Sequence, residues 1–224
     1  MILLAIDTSG KNGSLALARV RDSTTPDLEI LELVPLEGGT FSAQLVPQIA
    51  SVLKNYDLRK PDISAFAVVS GPGSFTGLRV GLAAIKALAE ILQKPIAAVS
   101  KLEAVARSGS FQGEVASAID AGRGEVYVGE YLLTPRAQMC REQLLSREEF
   151  LALFRARSVV TPDPVVANAA KDSGLIVEQV ADPRADVIAR IGWEKIQSGV
   201  TISPEDLEAN YIRRSEAEIF AKHP

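Results

Sequence analysis

The sequence predicts an α/β protein built of two lobes. Three observations carry that expectation. A chain of 224 residues allows one large domain or two small lobes, and at that size it buries enough surface to need no disulfide or metal staple. Three strand-like runs at hairpin spacing open the chain, and helical and strand-like periods then alternate. A second half opens on another strand meander, so lobes over 1–100 and 101–224 are expected. No low-complexity linker separates them, and no sequence repeat establishes duplication.

The elements follow from local patterning. Ile2–Asp7 reads as a buried strand, Asp7 to Gly13 as a turn, and Ser14–Val20 as an alternating second strand. Residues 22–26 form a loop before a third strand, Leu28–Leu36. Leu45, Val46, Ile49, Val52 and Leu53 lie on one face of a helix, which ends before Pro61. Ser64–Ser70 is a buried strand, Gly71–Gly77 a glycine-rich loop and Leu78–Leu92 a second helix. Ile96–Val99 is a strand, and Ser100-Lys101-Leu102-Glu103 is a capping box that opens a third helix. In the second half, Glu114–Ala121 and Glu125–Leu132 are strands joined by Gly122-Arg123-Gly124, a hairpin signal, and Ala137–Leu144 adds a third. Ser146 to Glu149 is another capping box before Phe150–Phe154. Val159–Val166 reads as a short, Pro-interrupted strand, and Asp186–Ser198 as a helix stopped by Gly199. Ser203-Pro204-Glu205 starts a further turn, Tyr211 to Arg214 is a short strand or loop, and the tail from Ser215 is weakly helical.

Scarce residues exclude several chemistries. The only His, His223, is second from the C-terminus, where order is poor, so a Ser-His-Asp triad is not expected. The only Cys, Cys140, permits no intramolecular disulfide, and His and Cys together are too few for a zinc site. With a net charge of −4 and no Lys/Arg cluster, autonomous nucleic-acid binding is not expected. Arg213, Arg214 and Lys222 would have to form a local patch for it. The apolar run Ile2–Ile6 has no basic region before it and stops at Asp7, unlike a secretory signal. No apolar stretch reaches the roughly 18 residues of a membrane span. A soluble, cytoplasmic protein is expected.

Three motifs carry candidate chemistry. In Asp7-Thr8-Ser9-Gly10, small side chains and backbone N–H groups suit a phosphate, and the Asp suits a hydrated Mg²⁺. The same tetrapeptide also suits an Asx-type hairpin turn. Gly71-Pro72-Gly73-Ser74-Phe75-Thr76-Gly77-Leu78-Arg79 runs from a buried strand into a helix, whose N-terminus suits an anion. It lacks the Lys-Ser or Lys-Thr of a P-loop and the spacing of a dinucleotide fingerprint. Gly71, Gly73, Ser74, Thr76 and Gly77 therefore serve either as an anion cradle or as a tight turn whose glycines allow close helix approach. Asp120 and Arg123 flank the later hairpin, as a site or as a turn with a weak surface ion pair. Trp193 fits the core or a lobe interface, and Arg213-Arg214 an exposed pair.

Taken together, Leu4 to Ser9, Gly71 to Arg79, Ile119 to Tyr127 and Tyr211 to Arg213 resemble the TsaB (YeaZ) family of bacterial tRNA threonylcarbamoyladenosine synthesis. The resemblance runs the whole chain in order, and Gly71 to Arg79 is its most specific string. It implies an actin-like fold, that of sugar kinases, heat-shock chaperones and actin, with two ribonuclease-H-like lobes, the second truncated. It further implies a non-catalytic scaffold that pairs with the catalytic paralogue TsaD and the ATPase TsaE, self-associates when alone, and meets tRNA only through the complex. No catalytic residue, metal or resident cofactor is implied, though weak or complex-dependent ATP/Mg binding at Asp7, Thr8, Ser9 and Gly10 is compatible with it. The catalytic paralogue holds its metal with paired histidines on one helix, and the first-lobe helices here contain none. Two positions depart from the family pattern: Phe41 stands where members often carry His, and Gly122 where they carry Arg.

On this reading the two first-lobe helices, roughly 41–55 and 74–92, present an apolar face to the partner. Leu45, Ile49, Phe75, Leu78, Gly81, Leu82, Ile85 and Leu88 are the expected contacts, with Gly77, Gly81 and Ala84 permitting close approach. Gly81→Arg or Leu82→Glu should then abolish pairing and spare the fold. The alternative is an ATP-binding kinase or hydrolase of the same fold, with Asp7 holding Mg²⁺ and Thr8–Gly10 cradling phosphates.

Overall fold

The structure is a computed structural model that describes residues 1–21, 28–134 and 137–213. The loop expected at 22–26, Arg214, Lys222, His223 and the tail from residue 215 lie outside the described residues. In chain order the first elements are β1 (Ile2–Asp7), β2 (Gly13–Val20), β3 (Leu28–Leu36), α1 (Phe41–Asn55), β4 (Ile63–Gly71), α2 (Phe75–Leu92), β5 (Ile96–Ser100) and α3 (Lys101–Ser108). There follow β6 (Gly113–Gly122), β7 (Glu125–Leu133), β8 (Ala137–Ser146), α4 (Arg147–Leu153), β9 (Ser158–Thr161), α5 (Pro164–Asp172), β10 (Ile176–Gln179) and α6 (Ala185–Gln197).

The chain forms two compact units. One is Met1–Lys101 with Pro183–Ala209; the other is Leu102–Asp182 with the chain from Asn210. The expected cut at residue 100 is thus corrected at one place: α6 belongs to the first unit. Its apolar residues Ile188, Ala189, Ile191 and Trp193 are buried there against the sheet.

In the first unit the sheet order is β3-β2-β1-β4-β5. The meander β1–β3 is antiparallel, whereas β4 and β5 run parallel to β1. Every residue of β1 is buried, as a strand covered on both faces requires. Ala5 and Ala67 are register partners, and a Cβ at Gly192 of α6 would lie 2.4 Å from Ala67 Cβ. Ile6, pointing the opposite way, faces Gly81 of α2. So α6 covers one face, and α2 with its neighbour α1 covers the other.

In the second unit the order is β10-β9-β6-β7-β8. Alternation along β6 sends Ala116 and Ala118 to a core with Phe150, Phe154, Val166 and Ala170 from α4, the residue after it, and α5. Val115 goes to a second core with Leu102, Val105 and Ala106 of α3. The expected strand over Val159–Val166 is corrected. It ends at Thr161, and Pro164 opens α5, because proline lacks the N–H that a strand needs and a first helical turn does not. Among the described residues no helix is long and apolar enough to cross a membrane.

Candidate functional site

The parallel strands β1, β4 and β5 bring their C-terminal ends to one edge of the first sheet, where α/β sheets commonly place their sites. Asp7 ends β1 there, with Thr8 and Ser9 following, all three buried. The Asp7 Oδ1 accepts hydrogen bonds from Ser9 N at 2.8 Å and Ser9 Oγ at 2.6 Å. That is an Asx-type turn, the plainer of the two readings of this tetrapeptide. The other carboxylate oxygen, Oδ2, accepts from Lys101 Nζ at 2.8 Å, with both side chains at most 6% exposed. The same ammonium donates to Pro183 O at 2.7 Å. Nearby, Ser14 Oγ accepts from Ala185 N, tying β2 to the start of α6.

The glycine-rich string closes over this turn. Ser74 N donates to Ser9 O at 2.7 Å, and Thr8 Oγ1 donates to Gly77 O at 2.7 Å. Ser74 caps α2 by accepting Gly77 N on its hydroxyl. A Cβ at Gly73 would stand 2.5 Å from Ser9 O, one at Gly77 2.0 Å from Thr8 O, and one at Gly81 2.4 Å from Thr8 Oγ1. These glycines let α2 and its leading loop approach the Asp7 turn. Gly71, the last residue of β4, is buried, and Thr76, in the first turn of α2, is exposed. Of the two readings of the string, close approach is the one built; the neighbour is a turn rather than a second helix.

A hydrated Mg²⁺ or a nucleotide phosphate does not fit this arrangement. Both Asp7 oxygens are engaged, Ser9 N and Ser74 N are spent on the protein, and a cation already stands against the carboxylate. Among the described residues no three His, Cys, Asp or Glu gather closely enough to hold a metal ion.

The second unit joins the remaining two motifs. Arg213 pairs with Glu125, and its guanidinium lies 5.8 Å from the Tyr127 ring centroid. So Arg213 is not an exposed residue of a basic pair; it holds the Glu125–Tyr127 strand. Asp120 is exposed, with its N donating to Asp163 Oδ2 at 2.7 Å, and Arg123 is exposed at the hairpin tip.

Comparison with known proteins gives the family. Residues 38–179 match the family described as TsaD, tRNA N6-adenosine threonylcarbamoyltransferase. The Bacillus subtilis tRNA threonylcarbamoyladenosine biosynthesis protein TsaB is 31% identical, over 97% of this chain and 96% of its own. Its Escherichia coli counterpart is 30% identical over the same shares. The chain belongs to the TsaB family. The solved structure of YeaZ from Pseudomonas aeruginosa superposes with a TM-score of 0.75 at 24% identity, covering 93% of this chain and all of that one. That likeness supports the fold, which is the actin-like, ribonuclease-H-like α/β architecture.

The TsaB-family helices are turned differently from expectation. Leu45, Ile49, Leu78, Gly81, Leu82 and Ile85 are buried against their own sheet, because the widest apolar stripe of a helix faces the core. Leu88 is half-buried, and Phe75 is 43% exposed with the Arg79 guanidinium 3.7 Å above its ring. Gly81→Arg and Leu82→Glu would therefore strike the fold. The open face carries Ala43, Val46, Pro47, Ala50 and Lys54 on α1, and Thr76, Arg79, Ala83, Ala87, Glu90 and Ile91 on α2. Sequence reasoning also missed Lys101, whose signal was a lysine at the end of a parallel strand between Val99 and Leu102.

Proposed function

We propose that this chain is a non-catalytic subunit of tRNA threonylcarbamoyladenosine synthesis, acting through the outer face of α1 and α2. The observation that carries the reading is the exposure of large apolar residues on that face, Val46 at 60% between the exposed Ala43 and Ala50, and Ile91 at 77% following the exposed Ala83 and Ala87. Single exposed apolar residues need no explanation, but on each of these two helices apolar residues recur at helical spacing on the side turned away from the sheet, which suits a partner. The names of its relatives supply the pathway: both close bacterial matches are tRNA threonylcarbamoyladenosine biosynthesis proteins. The partner is a TsaD-like catalytic subunit, with a TsaE-like ATPase joining the complex in the cytoplasm. Alone, the same face supports a homodimer, and tRNA is met only through the assembly. Small alanines allow close helix contact, and a standard interface takes about 800 Å² from each side.

The kinase or hydrolase alternative needs Asp7 to hold Mg²⁺, and its carboxylate is already paired with Lys101. The experiment is co-purification with a TsaD-like subunit. Wild type should be retained, and Val46→Glu with Ile91→Glu should lose at least about tenfold in affinity while melting within a few degrees of wild type. Undiminished retention of a folded double variant would place the interface elsewhere.

A further inference from the structure

Lys101 has a role that the partner face does not explain. The residue is 5% exposed, and its ammonium is held by Asp7 Oδ2 at 2.8 Å and Pro183 O at 2.7 Å. Removing an ammonium from water is costly, and such a placement persists only where full charge and hydrogen bonds compensate. Here the compensation is a carboxylate whose other oxygen is already satisfied by Ser9. Mg²⁺ would need about six oxygen ligands at ~2.0–2.1 Å, several of them waters, around the same carboxylate. The ammonium occupies that position and neutralises the charge that would attract the ion. It also pins backbone as a metal would. Lys101 ends the first stretch of its unit and Pro183 begins the second, so one side chain fastens both chain ends to the Asp7 turn.

We infer that Lys101 is the resident cation of the Asp7 turn, doing the neutralising and pinning work of a metal ion, so that the turn takes up neither free Mg²⁺ nor a metal–nucleotide. The inference stands independently of the partner face. Two measurements test it. First, Mn²⁺ is added at millimolar concentration to the ¹⁵N-labelled full-length wild type. The amide signals of Thr8, Ser9, Gly10 and Lys101 should keep the intensity of signals elsewhere in the sheet. Their selective loss would put a metal at the turn and overturn the inference. Second, a double-mutant cycle reads the pairing. Lys101→Met leaves a buried carboxylate alone and should lower the folding equilibrium constant by about 100-fold or more. Asp7→Asn/Lys101→Met, which removes both charges, should fold at least about tenfold better than Lys101→Met. A double variant no more stable than the single one contradicts the assignment. That comparison also decides the case where Lys101→Met does not fold, since the double variant must then recover folding.

Discussion

The two units share one topology and treat the same place in it in opposite ways. In each, a three-strand meander is extended from its first strand by two parallel strands. Each first strand carries an Asp near its end, Asp7 on β1 and Asp120 on β6. In the first unit that Asp and the next two residues, Thr8 and Ser9, are buried; the Asp is paired with a lysine, and glycines of the adjoining loop and α2 close over Thr8 and Ser9. In the second, Asp120 is exposed and its Oδ1 accepts from its own Gly122 N at 3.3 Å. The glycines differ in kind as well. Gly73, Gly77 and Gly81 are needed because there is no room for a Cβ. Gly122 and Gly124 have open space around them and are needed for φ values of 71° and 78°. Two glycine-rich strings that look alike thus answer different demands, and neither is free to cradle a ligand merely by being glycine-rich.

That contrast can be broken most forcefully at Gly77. Gly77→Val drives a side chain into the Thr8 carbonyl and should cost about 3 kcal/mol or more, whereas Gly124→Ala, limited to backbone strain, should cost about 1–2 kcal/mol. Equal losses in chemical denaturation would erase the distinction. A smaller effect is expected at the second hairpin. Asp163→Ala removes the acceptor of Asp120 N at an exposed site and should cost about 1 kcal/mol, far less than Lys101→Met. A loss as large as that of Lys101→Met would mean that the second turn is as firmly built as the first. The smallest effect belongs to Glu149 at the start of α4. Hydrogen bonds from Ser146 N and Ser146 Oγ hold its carboxyl below the ordinary value. A lowered folded value means that the carboxylate's contribution is present at neutral pH and is lost as pH falls through that value. An NMR titration should find Glu149 deprotonating below the ordinary glutamate value, and a midpoint at or above that value would contradict the capping box.

Most of the fold was legible because periodicity reports burial. β1 reads as an unbroken apolar run, and α1 and α2 carry their inward stripes at helical spacing. The same signal does not separate a stripe that packs on its own sheet from one offered to a partner. A stripe of Leu45, Ile49, Leu78, Leu82 and Ile85 marks the side that packs, and sheet and partner both ask for apolar residues. Only the structure shows the sheet satisfying that stripe and leaving Val46 and Ile91 outside. The Asx turn was legible from four residues, since its bonds are local. Its counter-ion was not: Lys101 lies 94 residues away, brought in by two parallel strand pairings that no local pattern specifies. The helix at Pro164 was hidden because a proline and two valines read equally as an edge strand.

The central claim is that the chain contributes a surface and no chemistry of its own at Asp7. The most direct measurement is reconstituted threonylcarbamoyladenosine formation on tRNA with TsaD-like and TsaE-like proteins, supplied with either of two variants of this chain. Asp7→Asn/Lys101→Met should sustain modification at close to the wild-type rate, and Val46→Glu with Ile91→Glu should lose most of it. Modification abolished by the Asp7 variant while it still pairs with the TsaD-like subunit would contradict the account.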